Sequence, residues 1–176
     1  MSETAYRIEC DKFVALCKTF SPPILRGRIS TTYATREFDS IVESGRFTQV
    51  SVFENTLLAK TRMVYMKSRA NTWHRIGEFM LEITRNEFMT YNLTLCVDGH
   101  HGPHIRTDGT ICMTGGREAL INLVKRGKLG QALFMLEQLV WHTNPSHEGQ
   151  FVGANVDQWP LANEGEIAWL MENTVP

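Results

Sequence analysis

"GPHIRTDGTIC", residues 102–112, is the stretch on which the reading of this chain turns. It follows neither the alternation of a strand nor the spacing of a helix. It lies inside a run from Asp98 to Gly116 that contains five glycines. A glycine-rich, aperiodic segment between periodic ones is a loop, and loops of this kind carry function more often than cores do. The question is what Cys112 is for: nucleophile, metal ligand, or small apolar filler.

The elements on either side set the fold class. Residues 4–20 place Phe13, Val14, Leu16, Cys17 and Phe20 at helical spacing, and "SPP" at 21–23 ends that helix because proline cannot continue it. A polar connector is expected up to Thr35. "TREFDSIVES" then predicts a short helix, with Thr35 as N-cap, Phe38, Ile41 and Val42 inward, and Gly45 as the stop. Four β-rich segments follow: "RFTQVSVFE", "TLLAKTRMVYM", "HRIGEFMLEIT" and "NLTLCV". Short polar turns join them, which predicts an antiparallel meander. After the loop, "KLGQALFMLEQLVWH" sets Leu129, Ala132, Leu133, Leu136, Leu139 and Val140 on one helical face, ending at Asn144–Pro145. "NEGEIAWLMEN" predicts a last helix with Asn163 and Glu166 in a capping box and Ile167, Leu170 and Met171 inward. This order predicts the α+β class. A division is expected between an N-terminal helical extension, residues 1–34, and a main domain, residues 35–176.

Composition narrows the function classes. A chain of 176 residues is long enough for one domain with a real core. Its formal net charge of −1 points to neither nucleic acid nor a membrane surface. No apolar run approaches the ~20 residues that cross a bilayer. No signal-peptide pattern opens the chain, so a cytoplasmic location is expected. In that compartment the four cysteines, Cys10, Cys17, Cys96 and Cys112, are not expected to pair. Burial as inert thiols is expected of Cys10, Cys17 and Cys96. "NLT" at Asn92 matches a glycosylation sequon, which means little without secretion.

Three chemistries compete for Cys112. A Cys–His peptidase needs an imidazole within hydrogen-bond reach of the sulfur. His100, His101, His104, His142 and His147 qualify by type, but the local cysteine-peptidase signatures are absent. A zinc site would draw on "HHGPH" and the thiol, yet the spacing fits no finger, ribbon or helical His pair. No metal is expected, and the plain reading of His100 and His101 is a solvated loop.

The third chemistry comes from the motif. "PHIRTDGTIC" has the form Pro-polar-Ile-x-x-x-Gly-x-Ile-Cys. It resembles the active-site segment of ubiquitin-conjugating enzymes, which usually reads His-Pro-Asn-Ile-x-x-x-Gly-x-Ile-Cys. Pro103, Ile105, Gly109, Ile111 and Cys112 fall in register with it. In that family a helix and a four-stranded antiparallel meander precede the motif, and a long helix ending in Asn-Pro follows it. By pattern the resemblance covers residues 35 to 172. It implies that Cys112 accepts the C-terminal carboxyl group of a ubiquitin-like modifier as a thioester, which a target amine then attacks. Pro103, Gly109 and Ile111 would position the loop, with Ile111 inward and Cys112 outward.

The sequence also departs from that pattern. Gly102-Pro103-His104 stands where the family has His-Pro-Asn. His104 is a candidate oxyanion donor, a candidate general base, or a brace for the loop. "MTGGREALINLVKRG" replaces the family's Trp-Ser-Pro, and His147, followed by Glu148, stands where an acidic residue often faces the incoming lysine. These departures fit a divergent member of a bacterial or viral lineage, with a bacterial antiviral conjugation operon as an analogous setting. The resemblance implies an activating enzyme, the modifier, a ligase and a protein substrate as partners, and no cofactor. No Gly-x-x-x-x-Gly-Lys-Ser/Thr loop is present, so ATP would be spent on the activating partner. The rival is a catalytically inactive interaction module that keeps the fold and binds partners through the same surface.

Overall fold

Six apolar positions spaced along residues 3–20 explain why the first helix forms and what it does. The computed structural model describes residues 1–111, 113, 116–141 and 156–173. Helix α1, Glu3–Phe20, starts at Ser2, whose hydroxyl accepts from the Ala5 N–H, and buries Cys10, Phe13, Val14, Leu16, Cys17 and Phe20. The connector after it is partly helical. Pro22 and Pro23 open a single turn, α2, Pro23–Arg26, as proline suits the start of a helix. Helix α3, Thr31–Glu43, begins earlier than the sequence predicts: Ser30 is the N-cap, accepting from the Tyr33 N–H, and Thr35 lies inside the helix. Ala34, Phe38 and Ile41 are buried, but Val42 is 36% exposed and does not face the core. Phe38 stacks obliquely on Phe13 and on Tyr6, so α1 and α3 form one packed pair. The expected division at residues 34/35 falls within α3, and the core runs continuously from α1 into the sheet.

Among the described residues six strands follow: β1 Phe47–Phe53, β2 Thr56–Thr61, β3 Val64–Lys67, β4 Trp73–Gly77, β5 Phe79–Ile83 and β6 Phe88–Asn92. Four of them form an antiparallel sheet in the order β1-β2-β5-β6, and β3 and β4 form a separate two-stranded hairpin. The second and third predicted segments are thus each broken into two strands. Thr61 is fully buried at one break, where its hydroxyl accepts from the Phe79 N–H. The alternation predicted for β5 holds, with Phe79, Leu81 and Ile83 buried.

The fourth strand corrects the sequence reading. It is Phe88–Asn92, not Asn92–Val97. Asn92 ends it by accepting from the backbone N–H groups of Thr94 and Leu95 at 2.9 and 3.0 Å. That side-chain turn diverts the chain from the sheet, and Leu93 is left 50% exposed.

The sequence also hid a helix. Helix α4, Gly116–Lys125, precedes α5, Leu129–Trp141. Helix α5 buries Leu129, Ala132, Leu133, Leu136 and Val140, with Leu139 half-buried. It also buries Glu137, which pairs with Arg46 and accepts from the Trp141 indole at 3.3 Å. The predicted stop at Asn144–Pro145 lies outside the described residues. Helix α6, Glu164–Asn173, has the predicted capping box: the Asn163 N–H donates to Glu166, and the Glu166 N–H donates to Asn163. Leu170 is buried and Ile167 half-buried, but Met171 is 77% exposed. The segment before α6 docks on β4. Buried His74 donates Nδ1–H to the Trp159 carbonyl at 2.8 Å, and the Ala162 N–H donates to Trp73. No described helix is long and apolar enough to cross a membrane.

Candidate functional site

The loop of residues 93–111 lies along the free edge of β6; one short bridge joins it to that strand and two more fold the loop on itself. Thr110 pairs with Met89, Ile105 with Ile111, and Gly102 with Ile105. The Thr90 N–H donates to the Gly109 carbonyl at 2.8 Å, continuing the ladder outward. An exposed edge of unpaired N–H and C=O groups is thereby covered. Ile105 and Ile111 are buried and face each other across the loop, and Pro103 is buried beside them.

Gly109 is where the loop needs its glycine. Its φ is +83°, and a Cβ there would lie 2.5 Å from Tyr91 Cε1. Both the backbone conformation and the Tyr91 ring exclude a side chain. Asp108 locks the same turn. Its carboxylate accepts from the Thr110 N–H at 2.9 Å and from the Thr110 hydroxyl at 2.6 Å. Those bonds to the charged form hold the Asp108 pKa below the usual carboxylate range.

At the root of the loop sits Asn92. Its amide donates to the carbonyls of Ile76 and His101, at 2.8 and 3.0 Å, while its oxygen turns residues 93–95. One side chain therefore ties together β4, β6 and both arms of the loop. The sequon at this position is engaged on both faces and buried. The Asn92 N–H also donates to His101 Nδ1 at 3.1 Å. The His101 ring stands edge-on to Tyr91, and Tyr91 in turn lies under Gly109. Burial, with Glu82, Asp108 and Glu87 nearby, pushes the Tyr91 phenol up.

His100 and His101 are half-buried rather than solvated, because Asn92 and the bridge between Val97 and His100 pull them against the sheet. His104 is half-buried between buried Pro103 and buried Ile105. Cys10 and Cys17 are buried as expected, and burial pushes the Cys17 thiol up to about 12. Cys96 is exposed instead, its sulfur 3.3 Å from His101 Nδ1, because residues 93–97 leave the sheet. That nitrogen already accepts an N–H.

Beside the loop runs a groove of about 460 Å³. Phe88, Met89, Ile111 and Met113 contribute apolar surface, and Arg106 and Arg117 contribute charge. The Arg117 guanidinium donates to the Asn86 carbonyl. Cys112, His147 and Glu148 lie outside the described residues. Among the described residues no three His, Cys, Asp or Glu side chains are grouped to hold a metal ion.

Sequence reasoning missed Asn92, Tyr91 and His101 as the frame of this loop. The available signal was "YNLT": an Asn at the end of an apolar stretch, followed two residues later by Thr, is a turn-forming arrangement. Comparison with protein-family models, with curated proteins and with solved structures gave no match.

Proposed function

We propose that this protein is a ubiquitin-conjugating-like transferase, with Cys112 as its nucleophile. The observation that carries the reading is the packing of the motif. The motif positions in register with the family are the ones the loop uses to hold itself: Pro103, Ile105 and Ile111 are buried, and Gly109 occupies a conformation only glycine accepts readily. A four-stranded antiparallel sheet preceding the loop and helices following it support the same reading.

The chemistry is two acyl transfers. The Cys112 thiolate attacks the thioester carbonyl of a modifier carried by an activating enzyme. A new C–S bond forms, and the activating enzyme's thiolate leaves. A target amine then attacks the same carbonyl, the bond to Cys112 breaks, and an amide forms while the amine proton passes to a base. Both steps build negative charge on the carbonyl oxygen, so a donor near it lowers both barriers. His104 occupies the position of the family's Asn and would serve there as oxyanion donor, amine base or brace. His147 and Glu148 would flank the incoming amine. No cofactor enters either step.

The test is a covalent trap in the native host. Wild type, Cys112→Ser and Cys112→Ala would be recovered and analysed by non-reducing gel and mass spectrometry. The expected result is a thiol-sensitive adduct on wild type, a thiol-resistant adduct on the serine variant, and none on the alanine variant. The absence of any adduct on wild type and serine variant, with the modifier pathway active, would overturn the reading and leave the interaction module. His104→Gln separates the roles of His104. A donor role survives that change at least in part, whereas a base role is lost, along with its pH dependence in the discharge step.

A further inference from the structure

Two turns far apart in sequence meet on one surface. The first carries Arg26 and Arg28 around Gly27, and the second carries Lys125, Arg126 and Lys128 around Gly127. Gly127 has φ +71°, and a Cβ on it would lie 2.5 Å from Ile29 Cδ1. The buried Ile29 side chain thus rests on bare backbone and fixes the two turns against each other. Lys18 lies beside the first turn: its carbonyl accepts from Arg26 Nε at 3.1 Å, and its ammonium donates to the Thr31 hydroxyl. Arg26, Arg28, Lys125 and Arg126 are exposed, and Lys18 and Lys128 are half-buried.

These six cations are not neutralised locally. Lys12, Arg46, Lys60 and Arg75 each pair with a carboxylate, but among the described residues none of the six does. Neither α3 nor α5, which begin beside the patch, has an acidic residue in its first turn. Glu37, which reaches the start of α5, is engaged by the Gln131 N–H and the Tyr33 hydroxyl. A chain of net charge −1 therefore concentrates positive charge in one place. Next to it, α2 presents Ile24, 79% exposed and preceded by Pro22 and Pro23.

We propose that this surface docks the protein on an anionic membrane. The cations would face lipid headgroup charges, and Ile24 would enter the interface, the pairing of basic cluster and apolar side chain that such surfaces select. A nucleic-acid backbone would use the cations but leave Ile24 in water. Bases would also need an aromatic platform, and Tyr33, the aromatic side chain in the first turn of α3, is held by Glu37.

The test is sedimentation of the full chain with phosphatidylcholine vesicles, with and without phosphatidylserine, across a salt series. Binding is expected only with phosphatidylserine, and it should weaken as salt rises. Each neutralised cation should lower partitioning about fivefold, so Arg26→Gln with Arg28→Gln, or Lys125→Gln with Arg126→Gln, should lose about twenty-fivefold. Ile24→Ser should weaken binding without changing the salt dependence. Arg85→Gln, on the exposed β5–β6 turn, is the control and should bind as wild type. Unchanged circular dichroism melting in the variants would separate lost binding from lost folding. The proposal is overturned by equal binding to both vesicles, by no binding, or by double variants no weaker than the control. It is also overturned if an RNA duplex or polyglutamate displaces the protein from vesicles while Ile24→Ser has no effect.

Discussion

The α1–α3 pair and the loop of residues 93–111 are held by opposite means. The helices bury contiguous apolar faces, centred on Phe13, Cys17, Phe20 and Phe38, all almost wholly inaccessible. The loop buries only a few apolar anchors, and much of its shape comes from single polar side chains, Asn92 and Asp108, bonded to backbone. A packed face loses stability in proportion to what is removed from it. A polar hub fails all at once, because every backbone group it satisfied loses its partner together. The first region should therefore govern global stability, and the second should govern local order around the loop.

That contrast can be broken most forcefully in the helices. Phe38→Ala removes a fully buried ring between Phe13 and Tyr6, and about 4 kcal/mol of unfolding free energy should go with it. Chemical denaturation measures it, and a loss near zero would mean that the α1–α3 seam is not the stabilising layer. Asn92→Ala should cost somewhat less globally, about 3 kcal/mol, because it strands two carbonyls and two N–H groups that water can partly reach. Its hydrogen exchange should accelerate at residues 93–105 more than in α1. Uniform acceleration would refute the hub. Gly109→Ala should cost about 2 kcal/mol, from the φ of +83° and the Tyr91 ring. Pairing it with Tyr91→Ala should recover the steric part only, leaving the backbone strain. Full recovery would show that the turn itself is unstrained.

A smaller effect concerns pH. Burial raises the Glu137 carboxyl above its ordinary value, more than Arg46 and the Trp141 indole lower it. The folded state then holds the proton more tightly than the unfolded chain does. The stability this contributes is present below the ordinary carboxylate range, and it is lost as pH rises through the raised folded value. Glu137→Gln should flatten that slope in melts taken across the acid range. A wild-type melting curve that climbs there, with the variant following it, would place the titration elsewhere. The smallest perturbation is chemical labelling. Iodoacetamide on the native protein should modify Cys96 and spare Cys10 and Cys17, whose thiols are buried. Equal labelling of all three would mean that α1 opens readily from the core.

The sequence legibly carried the helices whose apolar faces repeat over several turns, the alternation in β5, and the Asn163–Glu166 capping box. Each of these depends on residues near one another in the chain. Helix α4 was hidden because its flanking glycines and charged residues look like loop, and only packing against its neighbours selects the helix. The end of β6 was misplaced because "NLTLCV" alternates like a strand. The Asn92 side chain overrides that pattern by capturing the Thr94 and Leu95 N–H groups, a choice that requires Ile76 and His101 to be in place on its other side.

The motif at 102–112 was readable as residues, and so was the need for a turn at Gly109. What the tertiary structure alone decided was what those residues lean on: Tyr91 beneath the glycine, and the β6 edge beneath the loop. It also decided that two basic turns of a near-neutral chain lie side by side at Ile29 and Gly127. Local pattern is set by propensity and periodicity over a few residues. The meeting of distant segments is set by which buried surfaces fit, and that information is spread over the whole core.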